Sequence, residues 1–281
     1  MAQSTLSWPR LTRAAAPTLK RPREMWRLLA LPLLLFLALP LIAMFLRTPP
    51  DRLVVNLSNP QVLQAISLSV LTTLITLGVT IVFGTPVAYL LARYRFPFRR
   101  AIDTLLDLPT VLPPSVAGVA LLMAFGRRGL VGDWLEAWDI HIAFTQTAVV
   151  LAQTFVAAPF FVKAAMLGFA SVDNDLEQAA ALDGASPRQI FRFVTLPLAW
   201  TALLSGAVMT WARALGEFGA TIIFAGNFPG RTQTMPLAIY LGFELDLDVA
   251  LTLSAILVTC SFLVLMVVKG LLQREQEQLI A

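Results

Sequence analysis

Few side chains in this sequence are equipped for chemistry, and the two that stand out are Arg213 and Glu217, four residues apart in the stretch WARALGEFGATIIF that runs from Trp211. On a helix that spacing puts guanidinium and carboxylate on one face. There the arginine can draw in an anion while the glutamate keeps it from being held too tightly, or the two can simply neutralise each other as a packing pair. The spacing leaves both readings open. Thr221 is grouped with them as a candidate for the same pathway. Other chemistries lack their parts. A single cysteine, Cys260, and a single histidine, His141, exclude a disulfide framework, a multi-cysteine metal site and a histidine cluster, and both read as structural. Asp103 and Asp107 have no nucleophile and base to work with, since no GxSxG is present. No stretch matches GxxxxGK[ST], so the chain carries no P-loop and is not itself an ATPase. No cofactor is expected in it.

The elements that position these groups follow from composition. The 281 residues are 57% hydrophobic and 14% charged, against about 45–50% apolar and 25% charged in soluble domains. That excludes a disordered chain and argues against a soluble enzyme. A helix crossing a bilayer core needs about 20 mostly apolar residues, and six stretches qualify. They are Leu28 to Leu46, about Gln61 to Ala92, Leu108 to Phe125, Ala143 to Val162, Pro197 toward Phe224 with charged interruptions, and Val249 to Val268. On the fifth, counted from a membrane entry near Trp200, Arg213 comes about 20 Å deep and Glu217 about 26 Å. Ionisable groups at such depth usually face a bundle interior, a partner charge or water. The expected fold is an all-α integral membrane protein with six transmembrane helices over residues 25–271, between tails at 1–24 and 272–281. The first apolar run is longer than a signal-peptide core and lacks a clear cleavage site, so it reads as a span.

Orientation comes from the basic residues. Six of them in the N-terminal tail, then Arg93, Arg95, Arg99, Arg100, Lys163, Arg188, Arg192, Lys269 and Arg274, fall on one side of the alternating spans; Arg47, Arg52, Arg127, Arg128 and Arg231 fall on the other. The positive-inside rule puts both termini in the cytoplasm. The net charge of +4 is thereby accounted for by topology, with membrane lipid as surroundings and no nucleic acid.

Residues 171–197 form the longest polar interruption on that side and carry signals for two short helices. Asn174 with Glu177 fits a capping box, Gly184 suits a left-handed C-terminal turn, and Ser186, Pro187 and Gln189 start a second helix. The apolar positions, among them Leu176, Ala179, Ala180, Leu182, Ile190 and Val194, exceed what a solvated connector needs, so a partner should pack there. The spacing of Gln178, Ala179, Ala180, Gly184, Val194, Leu196 and Pro197 resembles the EAA loop of ABC-importer membrane subunits, which docks on the ATPase subunit. Gln178 stands where that family usually has glutamate and Val194 where it often has isoleucine. Glu177, next to Gln178, could replace the missing charge only by a rotation of about 100° around the helix.

Trp211 to Tyr240 and Asp107 to Gly129 resemble the sulfate and molybdate branch of those permeases, nearest the molybdate type. The resemblance covers most of residues 60 to 270 and implies the type I ABC importer permease class, in the cytoplasmic (inner) membrane of a bacterium or archaeon. It further implies a second copy of the chain, two cytoplasmic ABC ATPase subunits that hold ATP and Mg, and a periplasmic or lipid-anchored oxyanion-binding protein. Substrate would be molybdate, with tungstate also possible, moved by alternating access; a sulfate or thiosulfate permease is the nearest alternative. From other classes, an intramembrane enzyme and a proton-coupled transporter using Glu217 stay open. Asn227, Pro229 and Gly230 read as an outer turn, and Thr232, Gln233 and Thr234 as an outer rim for the binding protein.

Overall fold

A computed structural model describes residues 23–280, helical almost throughout. The N-terminal tail expected at 1–24 lies, up to residue 22, outside the described residues. The chain divides into two units at Leu46. The first contains α1 (Arg23–Leu46), with Pro32 and Pro40 inside it. It is long enough to span a bilayer core by itself.

The second unit contains the remaining helices. First come α2 (Pro50–Leu57), α3 (Pro60–Arg93), α4 (Arg99–Val111), α5 (Pro114–Phe125) and α6 (Gly132–Ala137). Then follow α7 (Gln146–Ser171), α8 (Asn174–Leu182), α9 (Pro187–Ile190), α10 (Leu196–Leu215), α11 (Gly219–Phe224), α12 (Met235–Leu245) and α13 (Leu247–Ile280). The helix α7 is central, packing most extensively on α3 and α10. At 34 residues, α3 is about 51 Å long and outreaches a hydrocarbon core of about 30 Å. Among the described residues, five helices are long and apolar enough to cross, and there are six crossings if a broken pair counts as one.

That pair corrects the expected third span, Leu108 to Phe125. It is not one rod: α4 and α5 meet at 118°. Leu112 and Pro113 are both extended, with ψ of 138° and 133°. A residue before proline is pushed out of helical conformation, and two consecutive prolines, Pro113 and Pro114, apply that rule twice. The fifth span also ends early. The helix α10 stops at Leu215, and Gly216 to Phe218 separate it from the six-residue α11. Beneath this break α5 and α11 pack against α7 through Ala117, Leu121, Ala148, Val149, Ala152, Ala220 and Phe224.

Small residues set the α7–α10 distance. A Cβ on Gly168 would come within 2.5 Å of Ala202 Cβ, and one on Gly206 within 2.8 Å of Ala164 Cβ. Close backbone approach of this kind is how helices associate in lipid, where no hydrophobic drive separates protein from solvent. Gly206→Leu therefore destabilises the bundle by about 1–3 kcal/mol or more, read as a lowered melting temperature in detergent. Gly78→Leu, where a Cβ meets nothing within 4 Å, leaves it unchanged. Between α3 and α7 part of the contact is polar: Ser69, Thr72, Thr73, Thr76 and Thr80 are buried in one stripe of α3, and Thr76 Oγ1 donates to Gln153 Oε1 at 3.1 Å, whereas further along Ala88 packs with Phe161, Val162 and Ala165.

Candidate functional site

The loop between α7 and α10 folds as helix, turn, helix. Its first helix, α8, is capped by Asp173, the first of the three candidate caps Asp173, Asn174 and Asp175: Asp173 Oδ1 accepts from Asp175 N–H at 3.0 Å. Asn174 and Glu177, expected to form a capping box, turn instead to Arg93, the last residue of α3. Arg93 donates one fork to Asn174 Oδ1 and the other to Glu177 Oε1 at 2.9 Å. A guanidinium spanning two acceptors outcompetes a neutral cap because both of its bonds have a charged donor and the one to the carboxylate a charged acceptor as well. Glu177 Oε1 also accepts from the hydroxyl of the fully buried Thr195. One carboxylate thus ties together the foot of α3, α8 and the start of α10. Its side chain is 19% exposed and that of Arg93 11%.

Gly184 ends α8 with φ of +87°, and Ala185 N–H returns to Ala180 O at 3.0 Å, the closure a left-handed C-terminal residue permits. Ser186 N–H donates to Gln189 Oε1 at 2.8 Å, opening α9 with Pro187 in its first turn. Between α9 and α10, residues Phe191–Thr195 form one π-helical turn in which Leu196 N–H reaches back to Phe191 O. This wide turn comes directly before Pro197, which has no N–H to give the preceding turn. Beneath lies an aromatic cluster in which Tyr89 stands edge-on to Phe169 at 5.5 Å and to Phe191 at 5.2 Å. The outer face stays bare: Gln178 and Ala179 are exposed, Leu182 is 89% exposed, and Ala180, Val194 and Leu196 are partly buried. Pro197 is exposed as well. Glu177 points to Arg93, so it does not supply the outward charge that Gln178 lacks.

At the other end of α10, Arg213 and Glu217 do pair, Nη1 to Oε2 at 2.8 Å. They do not share one helix, since Glu217 lies beyond its end, and a depth counted along a straight fifth span does not apply to it. Its second oxygen, Oε1, accepts from Ala220 N–H at 2.8 Å and so caps α11. Glu217 is 1% exposed with both oxygens engaged, whereas the Arg213 side chain remains 30% exposed. Thr221 is fully buried on α11, and its hydroxyl has no partner among the described residues. The structure thus separates the pair's two members: the glutamate is structural cement for the α10–α11 break, and the arginine alone retains surface.

Two further placements differ from expectation. Thr232, Gln233 and Thr234 are buried, and therefore do not form an exposed rim. Gln233 Nε2 donates to Asn227 Oδ1 at 3.0 Å, and Phe228 N–H donates to Thr232 Oγ1 at 3.1 Å, so these two side chains close the turn into α12, while the buried Thr234 hydroxyl has no partner among the described residues. Lys163 does not flank a span either. The helix α7 runs eight residues past it, and its Nζ donates to Asp103 at 2.6 Å and Asp107 at 2.9 Å on α4. Two carboxylates one helical turn apart allow an ammonium to sit inside a span, and they leave those carboxylates no free role as an acid–base pair. In the sequence, Arg93 and Lys163 at the ends of apolar runs speak only to topology, Thr195 carries no signal, and Asp103 and Asp107 stand out only as carboxylates without a base, so neither the clamp nor the triad is legible there.

Comparison with known proteins fits this arrangement. The profile of binding-protein-dependent transport system inner membrane components matches residues 84–278. The molybdenum transport system permease protein ModB of Mycobacterium tuberculosis is 44% identical over 233 residues, 83% of this chain and 88% of the relative. The sulfate transport system permease protein CysW of Escherichia coli K12 is 40% identical over 219 residues, 78% of this chain and 75% of the relative. Among solved structures, a bacterial alginate ABC transporter bound to its pentasaccharide-loaded periplasmic protein superposes with a TM-score of 0.72 at 17% identity, over 92% of this chain and 98% of its own. The MetNI methionine ABC transporter in an inward-facing form gives 0.60 at 21% identity, over 77% and 98%. At such identities the structures speak to the fold, which is that of type I ABC importer permeases. Profile, relatives and fold agree over most of the chain, and the protein belongs to the inner-membrane components of binding-protein-dependent transport systems, as a multi-pass subunit.

Proposed function

We propose that this chain is the membrane-spanning subunit of an ATP-driven importer of molybdate. The observation that carries the reading is the 44% identity to a molybdenum transport permease over nearly the whole of both chains. A second copy of the chain would complete the conduit. Two cytoplasmic ATPase subunits holding ATP and Mg would supply the energy, and a periplasmic or lipid-anchored binding protein would deliver the anion. The exposed face of α8, with Leu176, Gln178, Ala179 and Leu182, is the surface we assign to the ATPase. Apolar side chains with this exposure on a charged, water-facing loop need cover, and the α8–α9 turn holds them on a rigid platform. Both termini would then be cytoplasmic, in keeping with the arginine distribution.

For the anion, Arg213 is the residue we assign to the conduit, with Glu217 positioning it and Thr221 contributing a hydroxyl alongside. In the mechanism, closure of the ATPase dimer moves α8, the clamp at Glu177 carries that movement to α3 and α10, and the bundle opens to the outside to accept the delivered anion. Hydrolysis returns it to the inward state.

The 40% identity to a sulfate permease makes sulfate the competing substrate. Proteoliposomes containing the chain with its ATPase and binding protein should accumulate labelled molybdate when ATP is enclosed, with excess sulfate leaving uptake unchanged. Uptake of sulfate at a comparable rate would transfer the assignment to the sulfate reading. Uptake without the ATPase that collapses with the proton gradient would make the chain a secondary transporter.

A further inference from the structure

After α3 and Tyr94, the chain reads Arg95, Phe96, Pro97, Phe98 and then enters α4 with Arg99 and Arg100. These residues are not scattered flanking charges. Arg95, Arg99 and Arg100 line one cleft of about 470 Å³ together with Phe96, Phe98 and Asp103. Asp103 is the only carboxylate in it, and Lys163 already holds Asp103 at 2.6 Å. No ion pair among the described residues reaches Arg95, Arg99 or Arg100. Three guanidinium groups in one cleft repel one another unless an anion is shared between them. Their forked donors match the oxygens of a phosphate or a carboxylate in a bidentate way.

The apolar part of the cleft says where that phosphate comes from. Phe98 has φ of 67° and is 79% exposed. A left-handed backbone is disfavoured for an aromatic residue, and here it presents the ring away from the protein. The helix that follows has no buried residue, and Ile102 and Leu105, one and two turns on from Phe98, continue its exposed apolar face. The arginines begin two residues past the end of α3, a helix long and apolar enough to cross a bilayer, and basic clusters that directly follow such a helix attract anionic headgroups. A free phosphate ion would have no use for the exposed apolar face. A phospholipid would cover it with its acyl chains.

We propose that this cleft binds the headgroup of an anionic phospholipid, with Arg95, Arg99 and Arg100 on the phosphate and Phe98 and the face of α4 against the acyl chains. Basic pockets between membrane helices take anionic headgroups in this way, each arginine contributing about five-fold in affinity. The site would hold α4, which Leu106 and the Lys163 triad attach to α7, to the membrane surface.

The test is lipid retention by the purified full chain. Native mass spectrometry of wild type exchanged with phosphatidylglycerol should show a retained lipid that phosphatidylcholine does not replace. Arg95→Gln with Arg99→Gln and Arg100→Gln should remove it, and Phe98→Ala should weaken it with every charge in place. Each single Gln variant should lose about five-fold, which preserves the comparison if the triple variant does not fold. In nanodiscs, phosphatidylglycerol should raise the melting temperature of wild type and not of the triple variant. Equal retention by wild type and variants would overturn the proposal. So would an equal melting shift from inorganic phosphate or molybdate in lipid-free detergent, which would make the cleft a general anion site.

Discussion

Glu217→Ala is expected to be the most damaging single substitution in the bundle, because it orphans two groups at once. The carboxylate is 1% exposed, bonded to Arg213 at 2.8 Å and to Ala220 N–H at 2.8 Å. Removing one partner of a buried charge pair costs about 3–5 kcal/mol, and an unpaired buried N–H adds about 1–3 kcal/mol. Even with both figures halved for the partly exposed arginine, the chain loses much of its stability, seen as a large fall in melting temperature and in the amount reaching the membrane. Glu217→Gln keeps the volume and one acceptor for Ala220, so it should lie between. The double variant Arg213→Gln with Glu217→Gln removes both charges together and should recover most of the stability that either single change loses. That recovery makes the double variant the one in which transport is informative. With normal membrane levels and uptake reduced at least about ten-fold, equivalent to about 1.4 kcal/mol, Arg213 acts on the anion. Unchanged uptake would leave the pair a packing device and remove the arginine from the pathway.

The same residues show how far a sequence of this kind can be read. The bilayer imposes one strong rule, that backbone polar groups be satisfied within the helix, and long uncharged runs therefore announced α3, α7 and α13 within a few residues at their first turns. Caps were legible for a similar reason. Gly184, Ser186, Pro187 and Gln189 act on neighbours within four positions, and all four do what local chemistry predicts. Breaks were less legible. Pro113 and Pro114 signalled a disturbance, but whether two extended residues produce a kink or a 118° reversal depends on what α4 and α5 pack against. Glu217 could be paired with Arg213 from spacing, yet its second bond, to Ala220, exists only because α10 ends at Leu215. Arg93 is the clearest case of what spacing cannot disclose. Its partners Asn174 and Glu177 are more than eighty positions away, and only the packing of α3 beside the loop brings them together.

That long-range contact should decide whether ATP hydrolysis moves the bundle. Glu177 belongs to α8, the helix assigned to the ATPase, and it grips α3 through Arg93 and α10 through Thr195. A push on α8 reaches the membrane helices through these bonds and through the hydrogen-bonded backbone turn at Gly184. Arg93→Ala should therefore leave the assembled complex able to hydrolyse ATP while molybdate uptake falls by about ten-fold or more, corresponding to at least about 1.4 kcal/mol of lost coupling. Arg93→Lys should lie between the two, because an ammonium keeps the charge but lacks the planar fork that holds two acceptors at once. Thr195→Val, which removes only the bond to α10, should produce a smaller loss of the same kind. The discriminating quantity is the number of ATP molecules hydrolysed per anion transported, measured in the same proteoliposomes. If the clamp transmits motion, that ratio rises across the series from Thr195→Val through Arg93→Lys to Arg93→Ala. Hydrolysis and uptake falling in proportion, at an unchanged ratio, would instead mean that the clamp serves assembly with the ATPase, and transmission would have to run through the aromatic cluster of Tyr89, Phe169 and Phe191.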